Sequence, residues 1–413
     1  MNKIPKGWEV KKLGDIAITS SGGTPLRTHS EYWNGNIKWL KISDLNDSLI
    51  DNSDEFITEI GLKNSSAKIL KKGTLLVAMY GSIGKLGILN TEATTNQAIC
   101  AIINKKDKKF EIKFLFYFFM SVKEKMLNES FGGVQKNISQ TYLKNLEIPL
   151  PNLTEQKAIA DKLDDSFAKI ENAITNLINA KENLKLYKQS VLKSAFNGDL
   201  LPSISPTHWE VKKLGEICEI ISKGTTPKGG KNVYKDSGIL FLRAENIQEN
   251  GIVNLENVKF IDKNIHDNVL KRSKLYNGDL LITIAGTLGR CAVYNNDIEA
   301  NTNQAVCFVR LNKAYKKYAN FIQKFISLQS TKSQLLNQAK ITAIPNLTLE
   351  IIKNLPIPLP PLSEQNLIVA EIDRRFAIVD KTLNLIDKSI QNAKNLKQSI
   401  LKKAFSGELR SEI

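Results

Sequence analysis

The chain is poor in the residues on which metal and disulfide chemistry depends. Four cysteines (Cys100, Cys218, Cys291, Cys307) and three histidines (His29, His208, His266) are scattered over 413 residues, with no CxxC spacing among them. A zinc site needs clustered ligands and a disulfide framework needs dense cysteines, so neither is expected, and reduced, partly buried thiols are. Long apolar runs are also lacking. The longest, FLFYFFM at 114–120, is far below the roughly 20 residues that cross a bilayer, and MNKIPKGWEV has no apolar signal core. A cytoplasmic protein without membrane contact is therefore expected. Acidic residues fall short too, 42 against 58 Lys and Arg, for a formal charge of +16. That excess favours a polyanionic partner, because cations that neutralise phosphates release condensed counterions, although the accompanying wealth of Asn and Ile fits a codon bias equally well.

What the chain does contain, it contains twice. WEVKKLGDI at 8–16 returns as WEVKKLGEI at 209–217, an offset of 201. GTLLVAMYGSIGKLGILN at 73–90 returns as GDLLITIAGTLGRCAVYN at 278–295, and TNQAIC at 95–100 as TNQAVC at 302–307, at offsets of 205 and 207. IPLPNLTEQ at 148–156 matches IPLPPLSEQ at 357–365, and KQSVLKSAFNGDL at 188–200 matches KQSILKKAFSGEL at 397–409, both at 209. Insertions accumulate in the first part of the repeat and stop in its last part. A period this long is a duplicated domain plus connector, not a solenoid unit.

The fixed part reads as helix. Leu163, Phe167, Ile170, Ile174, Leu177, Leu184, Val191 and Ala195 are spaced as a coiled-coil seam, and Ile372, Phe376, Val379, Leu383, Ile386, Ile390, Ala393, Ile400 and Ala404 repeat it. Thr154 and Ser363 are placed to cap the first turns, Glu155 and Glu364 to face the helix dipole, and Gly198 and Gly407 to end the helices. A first helix that leaves one domain and ends at the next pairs with the second helix only if the two run antiparallel. Lys181, Lys188 and Lys397 interrupt the seam; they either set its register or sit solvated at a splayed end, and solvation is the expectation. Constant length in both copies suits a ruler between two sites that change.

The variable part reads as short strands between Gly, Asn, Asp and Pro, followed by helical stretches near 111–128 and 315–337. The expected fold is α+β: two similar, mainly antiparallel β domains separated by two long antiparallel coiled-coil helices, with pseudo-two-fold character. The boundaries are 1–153, 154–200, 201–362 and 363–413. Turns AMYGSIGK (78–85) and IAGTLGR (284–290) put backbone amides beside a cation, Lys85 or Arg290. A plain hairpin explains the glycines as well as phosphate binding does, and the matched charge favours DNA backbone contact. Neither turn has Walker spacing. Loops 20–36 and 222–238 share GTP or GTTP and then diverge, presenting Arg27, Tyr32 and Trp33 in one, Lys228, Lys231, Tyr234 and Lys235 in the other. Divergent polar loops on a shared scaffold suit sequence reading, and neutral drift explains variable loops too. Asn96/Gln97 and Asn303/Gln304 have the chemistry to contact adenine edges, but lying in apolar strands they are expected to satisfy backbone groups.

In this order, twice, these motifs resemble the specificity subunits of type I restriction-modification systems along essentially the whole chain. The resemblance rests on the paired W-E-VKKLG openings, the G-x-LL…G…G hairpins, the TNQA strands, the IPLP-x-L-[ST]-EQ junctions and the helices ending LK-x-AF-x-G. It implies two target-recognition domains that each read one half of a split sequence in double-stranded DNA. It further implies conserved helices, here carrying Leu163, Phe167, Ile170, Ile174, Ile372, Phe376, Val379 and Leu383, that fix the gap and dock two methylation subunits, which restriction subunits join. No glycine-rich S-adenosylmethionine loop, adenine-flipping NPPY motif, Walker box or nuclease carboxylate cluster is found in the sequence. No cofactor is therefore expected on this chain, with S-adenosylmethionine, ATP and magnesium held by the partners. Two other readings stay open: a DNA-independent coiled-coil scaffold, and a DNA-modifying enzyme with an unfamiliar site.

Overall fold

A computed structural model describes residues 5–105, 110–131, 136–339 and 346–409. It resolves into two compact units, Met1–Leu177 with Asp387–Ile413, and Ile178–Ile386. Each unit holds one β-rich domain, part of the first long helix and part of the second. The division falls inside the helices, not at their starts, because each helix end packs against a domain.

The main sheet of the first unit orders its strands Ala17–Ser21, Ile99–Asn104, Leu75–Ala78, Leu86–Leu89 and Ser48–Ile50, antiparallel except for the last pair. A second sheet joins Glu55–Ile57, Trp33–Leu40 and Thr94–Thr95. Strand Leu75–Ala78 is buried on both faces. Leu75 and Val77 meet the aromatic helix Ile112–Asn128, whereas Leu76 and Ala78 meet a separate cluster with Leu40 and Leu45. Side chains alternate faces along a strand, so burial on both sides reads as an unbroken apolar run. The second unit repeats the plan with two four-stranded sheets. One orders Cys218–Lys223, Val306–Leu311, Leu280–Thr283 and Cys291–Val293; the other orders Lys259–Ile261, Ile239–Leu242, Ala300–Thr302 and Lys274–Leu275. The helical stretch expected at 315–337 is broken into Ala319–Ile326 and Gln329–Ala339. At the break the Gln323 amide donates to Ser327 Oγ at 2.9 Å, a side-chain bond set within the helical ladder.

Each domain closes on itself just before its long helix. Glu9–Lys12 pairs antiparallel with Glu147–Leu150, and Glu210–Lys213 with Pro356–Leu359, so that Val10 faces Pro149 as Val211 faces Pro358. Two-stranded ribbons tolerate these prolines because a free edge needs no donor. The preceding tryptophans then fasten the helices: Trp8 Nε1 donates to Glu155 at 2.9 Å and Trp209 Nε1 to Glu364 at 3.0 Å. The next residues, Gln156 and Gln365, are buried and donate to Pro151 O at 2.8 Å and Pro360 O at 2.7 Å. The EQ pair of each junction is thus a fastening between domain and helix, beyond any dipole effect.

The long helices are Leu153–Asn197 and Leu362–Ser406, 45 residues each, or about 67 Å of helix. Thr154 and Ser363 do not cap them. Helix begins one residue earlier, and Asn152 Oδ1 accepts the Glu155 amide at 3.0 Å, the geometry of an N-cap reaching the third helical residue. In the second helix Pro361 holds that place, and its carbonyl takes the Gln365 amide at 3.0 Å. Gly198 and Gly407 end the helices at φ 85° and 81°, left-handed values that favour glycine.

Within each unit the helix segments pair antiparallel. In the first, Leu163 and Phe167 share a core with Leu401 and Ala404; in the second, Val191 and Ala195 share one with Ile368 and Ile372. Lys188 and Lys397 are half-buried, with their ion pairs open to solvent. Lys397 lies 5.0 Å from the Phe167 ring centroid and pairs with Glu171; Lys188 lies 4.7 Å from the Phe376 centroid and pairs with Asp380 at 2.5 Å. Their side chains are 19% and 17% exposed. Each lysine lays its stem along the seam and binds a ring and an acid on the opposite helix, which fixes one register. The sequence does not reveal these contacts because both partners lie on the other helix.

Candidate nucleic-acid interface

The GTP-type loops dock onto the TNQ turns by the same bonds in both domains. Gly23 N donates to Thr95 O and Thr225 N to Thr302 O, both at 2.9 Å. A Cβ at Gly22 would lie 2.0 Å from Thr95 O, and one at Gly224 2.1 Å from Thr302 O, so the loop sits on the strand only with glycine there. Asn96 Oδ1 accepts the Ala98 amide and Asn303 Oδ1 the Ala305 amide, each at 3.2 Å. The asparagines do satisfy backbone. The glutamines do not: Gln97 and Gln304 are exposed, and each accepts a bond from the loop threonine, Thr24 or Thr226.

Beyond this shared root the loops differ. In the first domain the Arg27 guanidinium stacks 3.7 Å from the Trp33 ring and 5.0 Å from Trp39, and pairs with Glu55 at 2.5 Å. Trp33 Nε1 donates to Leu26 O at 3.2 Å, Trp39 Nε1 to Gly23 O at 2.8 Å, and Tyr32 stacks on His29 at 4.8 Å. Arg27 and Trp33 therefore build the loop as well as presenting it. The Arg27 bond, opposed by burial and joined by Lys41, holds the Glu55 carboxyl below its ordinary range. In the second domain Tyr234 leans on Phe241 at 5.7 Å, Lys235 meets Asp262 at 3.8 Å, and Lys228 is exposed. The side chain of Lys231 lies outside the described residues.

The glycine turns are hairpin connections between Leu75–Ala78 and Leu86–Leu89, and between Leu280–Thr283 and Cys291–Val293, with Gly81, Gly84, Gly286 and Gly289 at φ 64–77°. Their cations are held differently. Lys85 Nζ reaches the carbonyls of Ile42 at 3.3 Å and Ser43 at 3.4 Å, whereas Arg290 is 3.4 Å from both Ile247 O and Glu249. Beneath each turn lies an ion pair absent from the sequence reading: Asp47 with Lys123 at 3.2 Å, and Glu249 with Lys332. All four residues match across the repeat, at offsets of 202 and 209, so the alignment held the signal. A Cβ at Gly84 would press on Met126 at 2.9 Å and Lys123 at 3.1 Å, which shows how closely the turn sits on that pair.

Among the described residues no group of three His, Cys, Asp or Glu is placed to hold a metal ion, and no helix is long and apolar enough to cross a membrane. The surface carries two copies of a backbone-anchored loop, an exposed amide and a half-buried cation.

Known proteins share this architecture. The specificity subunit of the type I restriction enzyme EcoBI from Escherichia coli is 31% identical over 359 residues, 82% of this chain and 74% of that one. That of the MjaIX enzyme from Methanocaldococcus jannaschii is 29% identical over 431 residues, 100% and 96% of the two chains. Among solved structures, a chain from work on complex assembly and conformational transition of the type I R-M system has a TM-score of 0.75 at 18% identity, covering 98% of both. The HsdS subunit from Thermoanaerobacter tengcongensis has a TM-score of 0.57 at 19% identity, again covering 98% of both. These two likenesses carry the fold. The family model of the type I restriction modification DNA specificity domain matches residues 5–180 and again 206–393, once in each copy of the repeat, and the chain belongs to that family.

Proposed function

We propose that this specificity subunit reads a split sequence in double-stranded DNA, one half with each β domain, while its long helices hold the gap between them. The observation that carries this reading is the contrast inside the repeat: offsets drift from 201 to 207 through the domains and stay at 209 through the helices. Recognition is this subunit's part. Methyl transfer and strand cleavage fall to methylation and restriction subunits in the cytoplasm, which bind S-adenosylmethionine, ATP and magnesium. Phosphate contact by Lys85, Lys228, Lys231 and Arg290 supplies affinity, and loops 20–36 and 222–238, with Arg27, Tyr32, Trp33 and Tyr234, supply sequence discrimination.

Two methylation subunits dock on the helices, through faces other than the seam. Leu163, Phe167, Ile170, Ile372 and Val379 are buried, and Ile174, Phe376 and Leu383 are half-buried. Leu186, Leu367, Ile378 and Leu385 stay 54–68% exposed on the helices. The test is methylation mapping after replacing residues 1–153 with the matching domain of a related subunit. One half of the methylated sequence should change while the other half and the gap persist. Four residues inserted near Asn179, about 6 Å of helix, should alter the gap alone. Both halves changing after a single-domain swap would overturn independent reading.

A further inference from the structure

The two β domains differ in their loops yet keep one exposed polar pair unchanged: Thr24 with Gln97, and Thr226 with Gln304. We propose that Gln97 and Gln304 are DNA-contacting residues, each donating its side-chain amide to a hydrogen-bond acceptor that both half-targets present. The inference rests on the DNA-reading function above and adds which residues do the part common to both domains.

The argument is one of placement and of unused donors. Each glutamine follows an asparagine whose amide oxygen is taken by the backbone two residues on, and that local turn turns the glutamine out to solvent. The threonine hydroxyl donates to the glutamine Oε1 and so orients the amide, leaving Nε2 with no protein partner among the described residues. A long side chain held this way has already lost much of the rotamer freedom that binding would cost it. The threonine is fixed in turn, because the glycine loop carrying it fits the strand only without a Cβ at Gly22 or Gly224. A structural role alone would not require the amide to stay exposed.

In the first domain Gln97 lines a concavity of about 520 Å³ with Ser43, Tyr80, Ser82 and Lys85. A donor amide, three hydroxyls and a cation around one hollow fit an acceptor-rich ligand. Gln304 follows the same motif, as Arg290 follows Lys85. Residues identical in both domains cannot tell the two half-sites apart, so the acceptor is a phosphate oxygen or a purine N7 common to both.

The test is equilibrium binding of the assembled complex with its methylation subunits to a duplex carrying the mapped target, using Q97A, Q304A and the double variant. Each single variant should bind about tenfold more weakly, in the range for a hydrogen bond to a charged group or base edge. The slope of log K against log salt should not change, because a neutral amide releases no counterion. Q97E, which loses the donors and adds negative charge, should be worse than Q97A. An equal loss on target and non-target duplexes marks a phosphate; a loss confined to the target and abolished by 7-deazapurine substitution marks N7. Wild-type affinity in Q97A and Q304A, with melting curves unchanged, overturns the proposal while leaving the subunit's function standing. Failure of the wild-type complex to prefer its target would instead overturn the DNA-reading function.

Discussion

The two β domains meet one structural demand with different chemistry. In the second, Asp279 is 2% exposed and forms a two-pronged ion pair with Arg310, at 2.9 and 2.7 Å, with the guanidinium also 4.2 Å from the Tyr276 ring. In the first, the matching positions are Thr74 and Ile103. Both sites close the same turn: Thr74 N donates to Lys71 O and Asp279 N to Tyr276 O. A buried ion pair and a pair of uncharged residues are interchangeable when both members change together, because desolvation then offsets the charge attraction. Asp279 alone has no such freedom.

That comparison yields the largest effect to look for. Arg310→Ile leaves a buried carboxylate unpaired and should cost about 3–5 kcal/mol, whereas Asp279→Thr with Arg310→Ile, copying the first domain, should be neutral to within about 1.5 kcal/mol. Urea unfolding of the single and double variants measures both. A double variant as unstable as the single would mean the domains are not equivalent at this site.

The fold was legible because burial leaves a strong pattern and duplication shows it twice. Heptad spacing gave the seam, and two-sided burial gave strands such as Leu75–Ala78. The caps were misplaced by two residues because Thr154 suits an N-cap as well as Asn152 does; which of them takes the role depends on where the junction ribbon ends. The contacts inside the loops were less legible. Arg27 and Trp33 look in sequence like ligand-facing groups, but cation–π stacking lies in the loop's return path and no local pattern reveals it. Asp47, Lys123, Glu249 and Lys332 went unseen because acid and base lie 76 and 83 residues apart.

The lysine locks extend the comparison to the helices. Lys397→Glu should destabilise the first unit by about 1 kcal/mol, a modest figure since Glu171 is largely exposed and solvent screens the pair. Adding Glu171→Lys should restore most of it, as should Asp380→Lys with Lys188→Glu in the second unit. Rescue within a pair and none across pairs, read from thermal unfolding, would establish each lock as local.

The turn cations give a smaller contrast. Lys85 is held by carbonyl oxygens, whereas Arg290 already faces Glu249. Lys85→Ala should therefore reduce the slope of log K against log salt by about 0.9, and Arg290→Ala by clearly less. Glu249→Ala should strengthen DNA binding by freeing Arg290. Equal slopes for the two alanine variants would make the carboxylate irrelevant.

The smallest effect concerns thiols, where the domains should behave alike. Cys100 and Cys307 occupy matching positions, both buried, and burial pushes each thiol from an ordinary 9.0 up to about 12. Cys218, half-buried, is raised to about 12 by the same cause. A thiol raised on folding favours the folded state by staying neutral, so this contribution is complete below pH 9 and is lost as pH climbs towards 12. Alkylation of the native protein at pH 8 should accordingly be slow at all three, and stability should be flat from pH 7 to 9 as far as the thiols contribute, then decline. Because the thiolate is the reactive form, fast modification of Cys100 but not Cys307 would mean that the first domain opens locally where the second does not.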